Sequence, residues 1–226
     1  PYVPLGCLVD AAPSSSRGAW IQRLGRVTRP FTTTDAERMG IEAHTKSEAV
    51  VLSHAHIDHS GLLPKLVKAG FRGPIHATPA TVDLAGVMLP DSAHLQRSDV
   101  ERAERRQKAG KWRGELPVAL YSMEEAELAL GQCEILPYGK VAELAQGINL
   151  EFQNAGHILG SAIAVIDITE DHAKKKRCVF SGDIGMKGKL LMPDPAKINQ
   201  ADVVVVESTY GDRLHKTLAD TESELI

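Results

Sequence analysis

Cysteine is scarce in this chain: Cys7, Cys133 and Cys178 stand far apart and form no CxxC pair. An odd count at such spacing argues against a disulfide framework and points to a reduced, cytoplasmic setting. Long apolar runs are missing too. No stretch reaches the roughly 18 residues of a membrane span, and no basic-then-apolar segment opens the chain as a secretory signal would. Aromatic residues make up 4%, and a net charge of −3 leaves no global excess of either sign to advertise a polyanion partner. Any nucleic-acid surface must therefore be a local patch. What is present, 226 residues of which 43% are hydrophobic and 24% charged, is enough for one large domain with its own core. The chain opens on Pro1 and closes on Ile226 within what reads as a starting helix, so it reads as a fragment.

Periodicity is weak from Pro1 to about Ser47, where Pro13-Ser14-Ser15-Ser16 and Pro30-Phe31-Thr32-Thr33-Thr34 read as loops. The pattern then sharpens. Ala49 to Ser53 predicts a buried strand, Ser60 to Ala69 a helix stopped by Gly70, and Gly73 to Ala77 a short strand. Helices are expected over Thr78–Leu89, Ser98–Gly114 and Glu124–Leu130, the second strongly basic. Ile148–Phe152, Ala162–Ile168, Cys178–Ser181 and Val203–Glu207 read as short strands, with Lys174 to Arg177 at a hairpin tip. Strands and helices mixed in this order fit sheets packed against helices.

The chemistry concentrates in His54-Ala55-His56-Ile57-Asp58-His59, between a buried strand and a helix. Imidazole and carboxylate are the ligands that a borderline cation such as zinc prefers. Four such groups in six residues cannot all be buried as ordinary core polars without heavy desolvation cost. A strand-end loop can instead point His54 and His56 to one centre, and Asp58 and His59 to another. Three later segments also place polar groups at strand ends: His157 between Gly156 and Gly160, Asp183 beside Gly182, and Glu207 after four valines. Each alone is a weak signal, since strand-end carboxylates commonly form turns. Combined with the histidine cluster, they form a set that can converge on one site.

The run His54 to His59 resembles the HxHxDH signature of the metallo-β-lactamase superfamily. Gly156-His157-Ile158-Leu159-Gly160-Ser161-Ala162, Ser181-Gly182-Asp183 and Glu207-Ser208-Thr209-Tyr210-Gly211-Asp212-Arg213 are similar to the later motifs of its β-CASP branch, which holds RNA-processing nucleases. The resemblance spans about Val50 to His215. It implies an α/β fold, the metallo-β-lactamase αββα sandwich, of which residues 1–226 would be an incomplete, N-terminal half. Residues 1–47 match poorly, and the chain ends where a β-CASP cap domain would begin. Cys7-Leu8-Val9-Asp10 resembles at most a degraded version of a later family strand. By resemblance, His54, His56 and His157 would hold one zinc, Asp58 and His59 a second, and Asp183 would bridge both. Asp58 would also handle the proton of the attacking water, and Glu207 would support the site from behind the ligands. Two ions would then activate a hydroxide for attack at phosphorus. The family's two later histidines have no counterpart after His215, which leaves the second site incomplete.

The expected function is a zinc-dependent RNA endonuclease, with 5′ exonuclease activity as a further expectation, an RNA substrate, no membrane partner and a homo-oligomer left open. A small-molecule hydrolase of the same fold, a DNA-repair nuclease of the same branch and a non-catalytic RNA- or partner-binding fragment are the competing readings. His44 and His172 read as surface residues and His76 as a strand residue near the core, while His94 and His215 are secondary candidates for substrate contact. The basic segment Arg102 to Arg113 reads first as a solvated helix face and second as a surface that steers a phosphate backbone.

Overall fold

The structure, a computed structural model, describes residues 8–9, 47–169, 174–209 and 211. Four strands form the first sheet, in the order β1 (Leu8–Val9), β2 (Ala49–Val51), β3 (Ile75–Ala77) and β4 (Cys133–Ile135). β1 runs antiparallel to β2, whereas β2, β3 and β4 are parallel. Five strands form the second sheet: β5 (Val141–Ala145), β6 (Ile148–Asn154), β7 (Ala162–Ile168), β8 (Lys176–Phe180) and β9 (Val203–Val205). Its first three pairings are antiparallel and the last is parallel.

The two faces of β2 explain the layering. Side chains alternate along a strand, so Val50 and Leu52 face one way and Val51 the other. Val50 and Leu52 pack with Leu62, Leu63, Leu66 and Val67, residues on or beside the short helices α1 (Ile57–Ser60) and α2 (Leu63–Lys68). Val51 packs instead with Leu150, Phe152, Ala164, Ile166 and Phe180 of the second sheet. A helical layer, a sheet and a second sheet therefore stack in that order. The outer face of the second sheet, formed by Ile163, Val165 and Val179, is met by Ile198 from an irregular segment. Among the described residues it carries no helix, so three of the four expected sandwich layers are on view.

Several boundaries differ from expectation, each for a local reason. The helix predicted from Ser60 to Ala69 divides into α1 and α2. Pro64 has no N–H to donate to Ser60, and it suits the first turn of a new helix. The two helices expected around Leu89 and Ser98 are instead one, α3 (Pro79–Lys108), which runs through Pro90. Ala85, Leu89 and Ala93 lie at i, i+4, i+8 and are all buried against Ala55, Tyr121 and Ala126. That packed stripe outweighs the single hydrogen bond a proline removes. α4 (Met123–Leu130) starts at a capping box made by Ser122 and Glu125. β4 and β5 are not evident in the sequence because their three and five residues carry no strong alternation, and β1 lies in a segment with weak periodicity. Arg177 and Lys176 belong to β8 rather than to a hairpin tip, where they pair with Asp167 and Asp202 respectively. No helix among the described residues is long and apolar enough to cross a membrane.

Candidate metal centre

Three strand ends and one loop deliver the site. β2 leads directly into His54 and His56, β6 into the loop that carries His157, and β8 into Asp183. The two sheets are stitched at this edge by the Ala162 N–H, which donates to the Ser53 carbonyl (2.8 Å), while the Ser181 N–H extends the β8–β9 pairing by donating to Val205 (2.9 Å). Pairing of β6 with β7 and of β7 with β8 fixes which residues emerge together.

His54 Nε2 lies 3.1 Å from His56 Nδ1, which lies 3.2 Å from His157 Nε2. Asp183 Oδ2 is 3.7 Å from His54 Nε2 and 3.6 Å from His157 Nε2. One ligand atom from each of these four residues falls within 4.8 Å of every other. Hydrogen bonding does not account for the arrangement. His56 Nδ1 has one proton or one lone pair, yet it meets two ring nitrogens at once. Around a tetrahedral cation with bonds of about 2.0–2.2 Å, neighbouring ligand atoms sit roughly 3.3–3.6 Å apart. The observed spacings bracket that value, so a divalent metal fits this donor set of three nitrogens and one carboxylate oxygen.

Electrostatics favour the same occupant. His54 is fully buried. Burial first, then the neighbouring His59, pushes its pKa down to about 3 against the opposing pull of Asp183. Burial also lowers His157, again opposed by Asp183. Asp183 is held below the usual carboxylate range, chiefly by the hydrogen bond from His59 and against the effect of burial. These are neutral imidazoles facing an ionised carboxylate, the protonation states that metal binding requires. When His54 Nδ1–H donates to Ser53 Oγ, 3.1 Å away, its Nε2 lone pair points at the common centre. Lone pairs gathered around one point repel unless a cation sits there.

A second grouping adjoins the first. His59 Nε2 lies 3.3 Å from Asp183 Oδ1 and 3.7 Å from Asp58 Oδ2. Asp183 thus presents Oδ2 to the first set and Oδ1 to the second. Glu207 does not join either. Its carboxylate accepts the Ile184 N–H, and its own N–H donates to Ser181 Oγ (3.1 Å), so it holds the Ile184 backbone and the Ser181 side chain on either side of Asp183.

Other braces escaped sequence reading. Ser161 Oγ accepts the N–H groups of His157 (3.0 Å) and Ile158 (3.2 Å), which holds the histidine loop closed. Thr78 and Thr81, at the start of α3, donate their hydroxyls to the Gly160 carbonyl at 2.6 and 2.9 Å. Gly160 has φ +80°, and a Cβ there would meet the Thr81 nitrogen at 2.4 Å. Gly182 is as constrained, with φ +54° and a Cβ that would meet Ser53 Cβ at 2.9 Å. The Thr-Pro-Ala-Thr run was the available signal, a helix N-cap, but nothing in it names the distant carbonyl it serves. His76 is a buried residue of β3, as read. His94 is exposed on α3 beside a cavity of about 340 Å³ shared with Arg97, Tyr121 and Glu124. His44, His172 and His215 lie outside the described residues.

The family model of the metallo-beta-lactamase superfamily matches residues 46–221. The chain is 36% identical over 179 residues to a protein named ribonuclease TTHA0252 from Thermus thermophilus, a match covering 79% of this chain and 36% of that protein. It is 35% identical over 184 residues to transcription termination factor FttA of Cenarchaeum symbiosum, covering 79% of this chain and 25% of the factor. FttA of Methanococcus maripaludis is 32% identical over 201 residues, covering 88% of this chain and 28% of the factor. The chain thus spans about a third or less of the length of these curated relatives.

Proposed function

Because the chain belongs to the metallo-beta-lactamase superfamily, we propose that its metal centre hydrolyses phosphodiester bonds of RNA, using two zinc ions. The observation that carries the reading is the split carboxylate of Asp183, which offers one oxygen to each of two adjoining donor sets. Its relatives supply the substrate class, since one is named a ribonuclease and others transcription termination factors. Endonucleolytic cutting, with 5′ exonuclease action as a second mode, and a cytoplasmic setting belong to the same proposal.

His54, His56, His157 and Asp183 Oδ2 would hold the first ion, and Asp58, His59 and Asp183 Oδ1 the second. A pair of ions there supplies Lewis acidity and an activated water for in-line attack at phosphorus. Asp58 is half exposed, with 53% of its side chain open, so it can reach incoming substrate and accept a proton at Oδ2. Glu207 keeps Asp183 aimed by gripping the next peptide N–H. Burial keeps bulk water from His54, and the Ser161 hydroxyl holds the loop that carries the partly exposed His157.

Metal analysis and cleavage of a labelled single-stranded RNA, with and without chelator, test the proposal. Chelator-sensitive cleavage restored by zinc is the expected result. Cleavage that persists in metal-stripped protein would overturn it, as would zinc-loaded protein that turns over a lactam or thioester but leaves RNA intact.

A further inference from the structure

The cations of α3 divide into two populations. Arg97 pairs with Glu101 at 3.1 Å and Arg102 with Asp99 at 3.6 Å, within the same helix. From Arg105 onward the pairing stops. Arg105, Arg106, Lys108, Lys111 and Arg113 are all exposed, no acidic residue interrupts them in sequence, and among the described residues none has a carboxylate within 4.0 Å. Five cations in nine residues, with no carboxylate partner among the described residues, form a local positive patch in a chain whose net charge is −3.

Helix chemistry explains only part of this patch. Cations in the last turn complement the negative end of the helix dipole, which covers Arg105, Arg106 and Lys108. Lys111 and Arg113 follow the helix and gain nothing from it. The backbone folds them back nevertheless: the Gly110 N–H donates to Gln107 and the Lys111 N–H to Arg106, at 2.9 and 2.8 Å. The Arg106 guanidinium lies 5.5 Å above the Trp112 ring, whose Nε1–H donates to the Glu115 carbonyl. A cationic tip with an anchored indole and a stacked guanidinium offers phosphate contacts and a platform for a base. An anionic lipid surface would match the charge alone.

The tip is joined to the metal centre through one continuous helix, though distant from it. Ala55, inside the ligand motif, packs on Ala85 and Leu89 of α3. From Leu89 to Lys108 the helix rises by roughly 28 Å at 1.5 Å per residue. A single strand with a rise of about 3.4 Å per nucleotide covers that span in about eight nucleotides.

We propose that the tip Arg105–Arg113 is a second, distal RNA-binding surface, which holds a single strand about eight or more nucleotides away from the bond being cut. This rests on the reading of the metal centre as an RNA-cleaving site.

The test is a variant with all five cations replaced by glutamine (R105Q/R106Q/K108Q/K111Q/R113Q), together with Trp112→Ala. Each zinc-loaded protein is compared with wild type on single-stranded RNAs of 5 and 30 nucleotides, with binding and cleavage measured separately. The expected result is a KM for the 30-mer raised at least tenfold, with kcat and all constants for the 5-mer unchanged. The slope of log binding constant against log salt should become shallower by up to about 3.5, since each lost phosphate contact removes about 0.7. Trp112→Ala should weaken 30-mer binding several-fold without moving that slope. Equal behaviour of variant and wild type on the 30-mer would overturn the proposal, as would equal losses on both lengths. So would wild-type-like RNA binding coupled with lost binding to phosphatidylserine vesicles. Wild type that binds the 30-mer through the tip but never cuts it would sink the nuclease reading and leave the surface standing.

Discussion

The two donor sets around Asp183 differ in how tightly the fold encloses them. The first is closed: His54 is fully buried, His157 sits in a loop fastened by Ser161, and four ligand atoms converge. The second is open: it has Asp58 and His59 beside one shared oxygen, and Asp58 is 53% exposed. A closed tetrahedral set holds an ion for its own sake, whereas a set with free positions leaves room for water and substrate. In the two-ion reading proposed above, affinity and reactivity would thus be separated by a few ångströms, with one carboxylate coupling them.

Removing that coupling should have the largest effect. Asp183→Ala strips a ligand from both sets, and RNA cleavage is expected to fall by about 10⁴-fold, with metal content by mass spectrometry falling too. If zinc retention is unchanged, the carboxylate is not shared. Asp58→Asn should separate the two sets. Cleavage drops by about 10²–10⁴-fold, the range for losing a proton acceptor, while the tightly held ion stays and the fold melts as wild type does. Wild-type turnover in that variant, with zinc verified, would remove Asp58 from the mechanism.

Zinc stoichiometry probes the same asymmetry more gently. After a chelator wash, the protein is expected to retain about one equivalent bound through the histidine-rich set, and to need added zinc for the second. Two equally tight equivalents would erase the distinction between closed and open. Glu207→Gln should then cost about 10–100-fold in zinc affinity or activity, as loss of a ligand's brace does elsewhere, with substrate KM little changed. The glutamine can still accept the Ile184 N–H through its oxygen, so Glu207→Ala should be worse.

An effect on stability rather than on catalysis belongs to the closed set without its metal. In the folded chain His54 titrates near 3, whereas an unfolded histidine titrates near 6.5. Above 6.5 both states are neutral and this residue adds no pH dependence. Below it the unfolded chain takes up a proton that the fold refuses until about pH 3. Apo-protein stability should therefore decline through that window, by up to about 1.4 kcal/mol per pH unit. Urea melts at pH 7, 6 and 5 check this, and His54→Gln should flatten the decline. No decline would mean that the folded protein already accommodates the charged imidazole.

The ligand motif was legible because four donors in six residues need no fold to be noticed. The braces were less so. Ser161 and Thr78 are ordinary residues until the distances to the His157 N–H and the Gly160 carbonyl are known. β4 and β5 are strands by virtue of their neighbours, since β3 and β6 supply the ladders that their own sequences do not demand. α3 continues through Pro90 because a packed alanine and leucine stripe overrules a local breaker. Local propensity is weak beside such burial.

Composition, the histidine motif and the strand-end Asp183 and Glu207 determined the chemistry on offer, because donor type is a property of the residue itself. Convergence was decided elsewhere. His56 and His157 stand 101 residues apart in sequence and 3.2 Å apart in space. The register of β6, β7 and β8, and the stitch from Ala162 to Ser53, bring them there. The resemblance implied a bridging Asp183, and the tertiary structure decides which of its oxygens meets which donor set. A carboxylate's identity is fixed by its codon, but which donor set each of its oxygens faces depends on the angle at which a packed sheet presents it.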